Sequence, residues 1–252
     1  MKDKRDKILN ISLPIISVLM VLIVWAIAAI SVNSEYILPS ILQTAKALLE
    51  VLKSGEFYSS LAFTLLRSVL AFLISFLLAS LLVFLSKRFS VAKGLITPII
   101  SILRALPTVA VVLILVFWTN SFVAPIIVTM LVILPTIFTG VSALYDSVDK
   151  GQLLMCKAFN VDKKQRLTKV ILPQIAPSLL TLIGSNLSLN LKLMVAAEVL
   201  SATPNSIGLM LNTSKVFFEI SSLLALVCVC IVFGLIIEGV FSLISKKVGK
   251  WQ

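Results

Sequence analysis

The sequence predicts an all-helical membrane protein with six transmembrane helices, and three observations carry that prediction. The 252 residues are 59% hydrophobic and only 13% charged, with a mean hydropathy of +1.11, above what a solvated globular surface allows. Six apolar stretches are each long enough to cross a bilayer, since about 20 helical residues at roughly 1.5 Å each span a core about 30 Å thick. Sixteen of the 22 lysines and arginines fall on one side of the resulting alternation, as the positive-inside rule requires.

The first span, residues 11–30, follows a tail carrying Lys2, Lys4, Arg5 and Lys7. Its apolar run is longer than a signal-peptide core, and Asn33-Ser34-Glu35 is not a small-x-small cleavage site, so it is expected to persist. Next comes ILPS at 37–40 and then residues 41–52, where Leu42, Ala45, Leu48, Leu49 and Leu52 recur at helical spacing. This predicts an external amphipathic helix, with Pro39 as an entry signal. Residues 1–60 form one expected unit, and residues 61–252 a five-helix core with a connecting loop at 145–175.

The second span, 68–85, leads to a connector with Lys87, Arg88 and Lys93. Pro107 and Pro135 interrupt the third and fourth spans, 99–118 and 123–144. Kinks and close helix packing are expected there, because lipid offers no partner to a freed carbonyl. The fifth and sixth spans cover 179–200 and 223–244, followed by Lys246, Lys247 and Lys250. Trp25, Trp118 and Trp251 lie near span ends, as an aromatic belt requires. Both termini are thereby placed in the cytoplasm, leaving Lys46, Lys53 and Lys215 outside and Arg67, Arg104 and Lys192 at membrane depth.

Several function classes drop out. The basic residues flank membrane helices and form no groove-reading module, so nucleic acid is not an expected partner, while membrane lipid is. Three cysteines (Cys156, Cys228, Cys230) and no histidine make a metal site, a disulfide framework or a Ser-His or Cys-His catalytic pair unexpected. No GxxxxGK[ST] phosphate loop occurs, and the chain is not expected to be an enzyme.

The longest connector on the basic side carries a distinctive pattern. Residues 153–159 read as a short helix, with Leu154 and Ala158 paired at i, i+4. Asn160 then supplies a residue tolerant of the left-handed conformation. Asp162 follows as an N-cap, with Gln165 completing a capping-box pattern. A second helix bears Lys163, Lys164, Arg166 and Lys169 around an apolar face of Leu167, Val170 and Ile171, and is expected to stop at Pro173. Two short helices at a fixed angle form a knob suited to a groove on another protein, or an interfacial pair touching anionic lipid.

Charges inside spans cost about 2.5–3.5 kcal/mol each at the centre, so they need partners or water. Lys192 and Glu198 lie about 120° apart on a regular helix and are expected to have separate partners. Asn186, Asn190 and Lys192 are read as lining a polar pathway, with Lys192 or an arginine attractive to an anion. Arg67 and Glu198 are expected to snorkel to the outer interface and Arg104 to the inner one; Glu238 is the remaining intramembrane charge.

The stretch LLMCKAFNVDKKQRLTKVILPQIAPSLL, residues 153–180, resembles the cytoplasmic motif of permease subunits of ATP-binding-cassette importers. Further segments resemble the branch importing nitrate, sulfonates, taurine and thiamine-precursor-like compounds: ILPS at Ile37, TLLRSVLAF around Arg67, ILRALPTVA from Ile102, VAAEVL from Val195 and the final KKVGKW. The family's motif glutamate falls at Leu154, its alanine at Cys156 and its glycine at Asn160.

This resemblance implies a type I importer permease fold and a cytoplasmic-membrane location. It implies a coupling element made of Leu154, Ala158, Asn160, Val161, Asp162, Lys163, Lys164, Gln165 and Pro173. It further implies a second permease copy, cytosolic ATPase subunits that bind the ATP and Mg, and an external substrate-binding protein, with a small anionic or heterocyclic solute as cargo. No cofactor is expected on this chain. The alternatives are an ATP-independent channel or ion-coupled carrier using Lys192 and Glu198, and a membrane scaffold whose loop recruits a soluble partner.

Overall fold

The structure, a computed structural model, describes the backbone of residues 2–249 and side chains at Leu13 and from Ile16 to Gly249. Lys250, Trp251 and the side chains of the basic N-terminal tail lie outside the described residues. Among the described residues the chain is helix and turn throughout. In order these are α1 (Lys2–Val32), α2 (Ile41–Lys53), α3 (Gly55–Arg88), α4 (Ser90–Ala105), α5 (Thr108–Trp118), α6 (Ala124–Asp146), α7 (Lys150–Ala158), α8 (Lys163–Arg166), a π-turn (Leu167–Ile171), α9 (Leu172–Ser201), α10 (Ile207–Val216) and α11 (Ile220–Gly249).

Four unbroken helical stretches are long and apolar enough to cross a membrane: α3, α6, α11 and Lys163–Ser201, which joins α8 to α9. The bent pair α4 and α5 is together long and apolar enough for a broken span or a re-entrant loop, and the described apolar part of α1 runs from Ile16 to Val32. The third expected span is therefore corrected from one kinked helix to two helices meeting at 97°. The cause is local: Pro107 supplies no N–H and holds φ at −70°, and it pushes Leu106 into an extended conformation at ψ 128°. Pro135 produces no such break; it lies buried within a continuous α6.

The expected stop at Pro173 is also corrected. The helix runs through it, because the π-turn shifts the hydrogen-bond register just ahead: the Leu172 N–H donates to the Leu167 carbonyl, five residues back. Pro173 then falls at the first turn of α9, where a missing N–H costs little.

One compact unit comprises the segment up to Phe57 together with Met210–Cys228, a joining of distant segments that a linear division at residue 60 does not contain. Within it α2 starts with a reciprocal capping box: the Gln43 N–H donates to Ser40 Oγ at 3.3 Å and the Ser40 N–H to Gln43 Oε1 at 2.7 Å. Thr44 and Ala47 form its buried side, whereas Leu42, Leu49 and Leu52 are exposed.

The second unit, Tyr58–Leu209 with the stretch from Val229 onward, has its own core. Phe72 and Ala79 of α3, Ile96 and Ile100 of α4, and Ile133, Leu134 and Ile137 of α6 pack together. A smaller cluster of Val112, Val128 and Ala197 joins α5, α6 and α9. The helix α6 thus serves as the central post against which α4, α5 and α9 lean.

Candidate functional site

Two constellations stand out in the second unit, and the first is the α7–α8 loop. Asp149 caps α7 by accepting from the Gly151 N–H at 2.7 Å. The helix ends in a Schellman arrangement: the Val161 N–H donates to the Cys156 carbonyl at 2.9 Å and the Asn160 N–H to Lys157 at 3.1 Å. Asn160 has φ 49°, the left-handed conformation its residue type favours among non-glycines. Asp162 then caps α8 through the Lys164 N–H at 3.0 Å. The capping box expected with Gln165 is corrected: the Asp162 carboxylate takes the Lys164 N–H at the second position of the helix, so the cap is a simple one and Gln165 has no part in it.

The outer side of this loop is apolar as well as charged. Leu154, Met155 and Phe159 are 64%, 60% and 77% exposed, while Cys156 is buried and Val161 half-buried beneath them. Ala158, Asn160, Asp162, Lys163, Lys164 and Gln165 are also exposed. Gln174 on α9 accepts from the Asp149 N–H at 3.2 Å and bonds the Gln152 amide, tying the start of α7 to α9. The result is a stiff protrusion with a greasy crest.

The second constellation is buried. Arg67 Nε meets Glu198 Oε1 at 2.9 Å, with the two side chains 3% and 0% exposed. The Thr64 hydroxyl donates to Glu198 Oε2 at 2.9 Å and accepts from the Ile207 N–H at 3.0 Å. The Gly208 N–H donates to Oε2 at 3.3 Å, and Arg67 reaches the Asn205 carbonyl at 2.9 Å with its guanidinium over the Phe122 ring. The expectation that Arg67 and Glu198 snorkel to an interface is corrected: they form a buried ion pair inside the fold. Together they pin α3, α9 and the turn before α10.

That turn needs Gly208. A Cβ there would stand 2.3 Å from the Glu198 Cβ and 2.6 Å from the Val199 nitrogen, the latter being backbone that cannot swing aside. Gly208→Ala is therefore expected to destabilise the chain by about 1–3 kcal/mol, the usual range for overpacking. Thermal unfolding in detergent is the measurement.

The remaining intramembrane polar residues do not converge. Asn190 is buried and donates to both the Ser68 carbonyl and hydroxyl, at 2.7 and 2.8 Å, so it bolts α9 to α3. Asn186, also buried, donates to Leu182 of its own helix at 2.9 Å. Lys192 is 57% exposed and lies 3.9 Å from Glu238 of α11, so it does have a partner separate from that of Glu198. Arg104, exposed beside the α4–α5 break, donates to the Thr139 hydroxyl at 2.5 Å. Sequence reasoning missed Thr64, Ser68, Asn205 and Gly208; only Thr64, one turn from Arg67 on α3, carried a local signal.

A family model described as binding-protein-dependent transport system inner membrane component matches residues 71–250. A Bacillus subtilis (strain 168) protein named for aliphatic sulfonates transport, the permease protein SsuC, is 24% identical over 239 residues, covering 92% of this chain and 84% of its own length. The taurine transport system permease protein TauC of Escherichia coli (strain K12) is 25% identical over 235 residues, covering 90% and 85%. Among solved structures, a chain of an amino acid ABC transporter superposes with a TM-score of 0.67 at 18% identity, covering 79% of this chain and 97% of that one. A chain of the inward facing MetNI methionine ABC transporter gives 0.63 at 16%, covering 76% and 93%. At these identities the structural likeness concerns the fold alone.

Proposed function

This chain belongs to the binding-protein-dependent transport system inner membrane components, and we propose on that footing that it is the permease of an ATP-driven importer, carrying a small anionic or heterocyclic solute into the cytoplasm. Sulfonate and taurine transport in the names of two relatives supports the anionic option. The basic residues on the Lys87, α7–α8 and Lys246 side put that side in the cytoplasm, with both termini. The membrane is then the bacterial cytoplasmic membrane.

The observation that carries the reading is the doubly capped α7–α8 protrusion with exposed Leu154, Met155 and Phe159. An apolar crest on a membrane protein's aqueous side calls for a groove to cover it. The partner is a cytosolic ATPase, which holds the ATP and Mg; closure of an ATPase pair pulls two protrusions, one from each permease copy in a homodimer. Stiffness is what lets displacement at α7 reach α9 instead of dissipating in the loop. An external substrate-binding protein delivers the solute, and Lys192 with Glu238 faces the passage. Asn190 contributes by holding α9 against α3.

The test is purification from native membrane followed by reconstitution into vesicles. Co-purification of an ATP-hydrolysing subunit and uptake that requires ATP are expected. Transport by the purified chain alone, or ATPase binding without any solute flux, would overturn the importer reading.

A further inference from the structure

The cleft between α4 and α6 holds a cation that no carboxylate among the described residues neutralises. Thr97, Ser101 and Arg104 follow one face of α4 at i, i+4 and i+7, and Thr139, Ser142 and Asp146 follow the facing side of α6; together they line a cavity of about 360 Å³. Asp146 is already engaged by Lys87, whose Nζ lies 2.7 Å from Oδ1. Arg104 donates to the Thr139 hydroxyl, which itself donates to the Pro135 carbonyl at 2.8 Å, and among the described residues it forms no ion pair. The cleft therefore carries one unbalanced positive charge. Lys192, by contrast, has Glu238 beside it.

The chemistry of this cleft calls for an aqueous lining. Thr139 lies seven residues up α6 from Asp146, so the Arg104 guanidinium sits roughly 10 Å inside the Lys87–Asp146 level. Beside it the exposed Leu106 and Pro107 form the non-helical break between α4 and α5. Neither an exposed guanidinium nor non-helical backbone is tolerated against hydrocarbon, and both are tolerated where they line an aqueous cavity.

We propose that this cleft is an anion subsite on the solute's route, with the Arg104 guanidinium as its donor fork and a small organic oxoanion, sulfonate or carboxylate, as the ligand class. The assignment rests on the importer reading and narrows its solute to an anion. Arg104 has five N–H donors in a planar array, and the bond to Thr139 orients that array while leaving most of it free. Two parallel N–H···O bonds to one oxoanion match its geometry. Thr97 and Ser101 currently turn their protons to backbone carbonyls four residues back, at 2.8 and 3.0 Å, and rotation of either hydroxyl adds a donor.

The test uses Ser101→Cys in the assembled transporter in vesicles, with reaction measured above the background of the unsubstituted chain. A methanethiosulfonate reagent bearing a sulfonate is expected to react roughly tenfold faster than one bearing a trimethylammonium group, relative to their rates with free cysteine. Arg104→Gln is expected to abolish that preference, Arg104→Lys to keep part of it, and ethanesulfonate to slow the reaction. If Ser101→Cys fails to assemble, Ser142→Cys on the opposite wall reports the same quantity. Equal rates, or no reaction with either reagent while the complex still hydrolyses ATP and takes up solute, overturn the subsite and leave the importer standing. Absence of ATP-dependent uptake by the unsubstituted complex overturns both.

Discussion

Glu198→Ala is expected to cost about 3–5 kcal/mol of stability, the range for removing one partner from a buried ion pair. The loss leaves the Arg67 guanidinium uncompensated with only the Asn205 carbonyl and the Phe122 ring around it. It also strips the Thr64 hydroxyl and the Gly208 N–H of their acceptor. Because those groups lie on α3, on α9 and at the start of α10, the damage is not confined to one helix. Thermal unfolding in detergent, with Arg67→Met, Glu198→Met and the double variant, reads the coupling. The double variant is expected to regain much of the loss, since apolar replacement of a whole buried pair is often neutral. Single-variant losses that merely add in the double would show that the two residues do not act as a pair.

Asn160→Pro is expected to abolish ATP-dependent uptake while the partner ATPase continues to hydrolyse ATP and the chain still inserts. Proline holds φ near −65°, whereas position 160 has φ 49°, and it removes the N–H that donates to Lys157. The incompatibility is of order 3 kcal/mol, more than an exposed helix end can hold, so the Schellman turn opens and the crest of Leu154, Met155 and Phe159 loses its fixed direction. Asn160→Gly is the control, because glycine enters the left-handed region without strain and is expected to retain coupling. Uptake and ATP hydrolysis measured side by side in vesicles decide the matter. Coupled transport retained by Asn160→Pro would remove the rigid protrusion from the mechanism.

The loop was legible because its determinants are local. Asn160 ends one helix and Asp162 starts the next through contacts within five residues, and residue type alone announces such contacts. The end of the second helix was not legible. Pro173 reads as a stop, and only the π-turn ahead of it, a register change without a sequence signature, lets the helix continue. Pro107 and Pro135 look alike in sequence, yet one bends the chain by 97° and the other sits in an unbroken, buried helix. What differs is the backbone ahead of each: Leu106 is extended, whereas the helix of α6 continues through Pro135.

Arg67 and Glu198 show the same limit at the site. They are 131 residues apart, so each alone reads as a charge seeking the interface; side by side they bury each other. The same holds for Asn190, whose amide closes on Ser68, 122 positions away, a contact that no local pattern announces.

By itself the amino-acid order determined the helical membrane class, the apolar segments and the two caps of the loop, because hydropathy and capping are properties of short stretches acting on their own backbone. The tertiary structure alone decided which polar groups are satisfied in the interior and which, like Arg104, are left facing a cleft. Desolvation and pairing depend on what distant helices bring alongside, and no window of neighbouring residues contains that information.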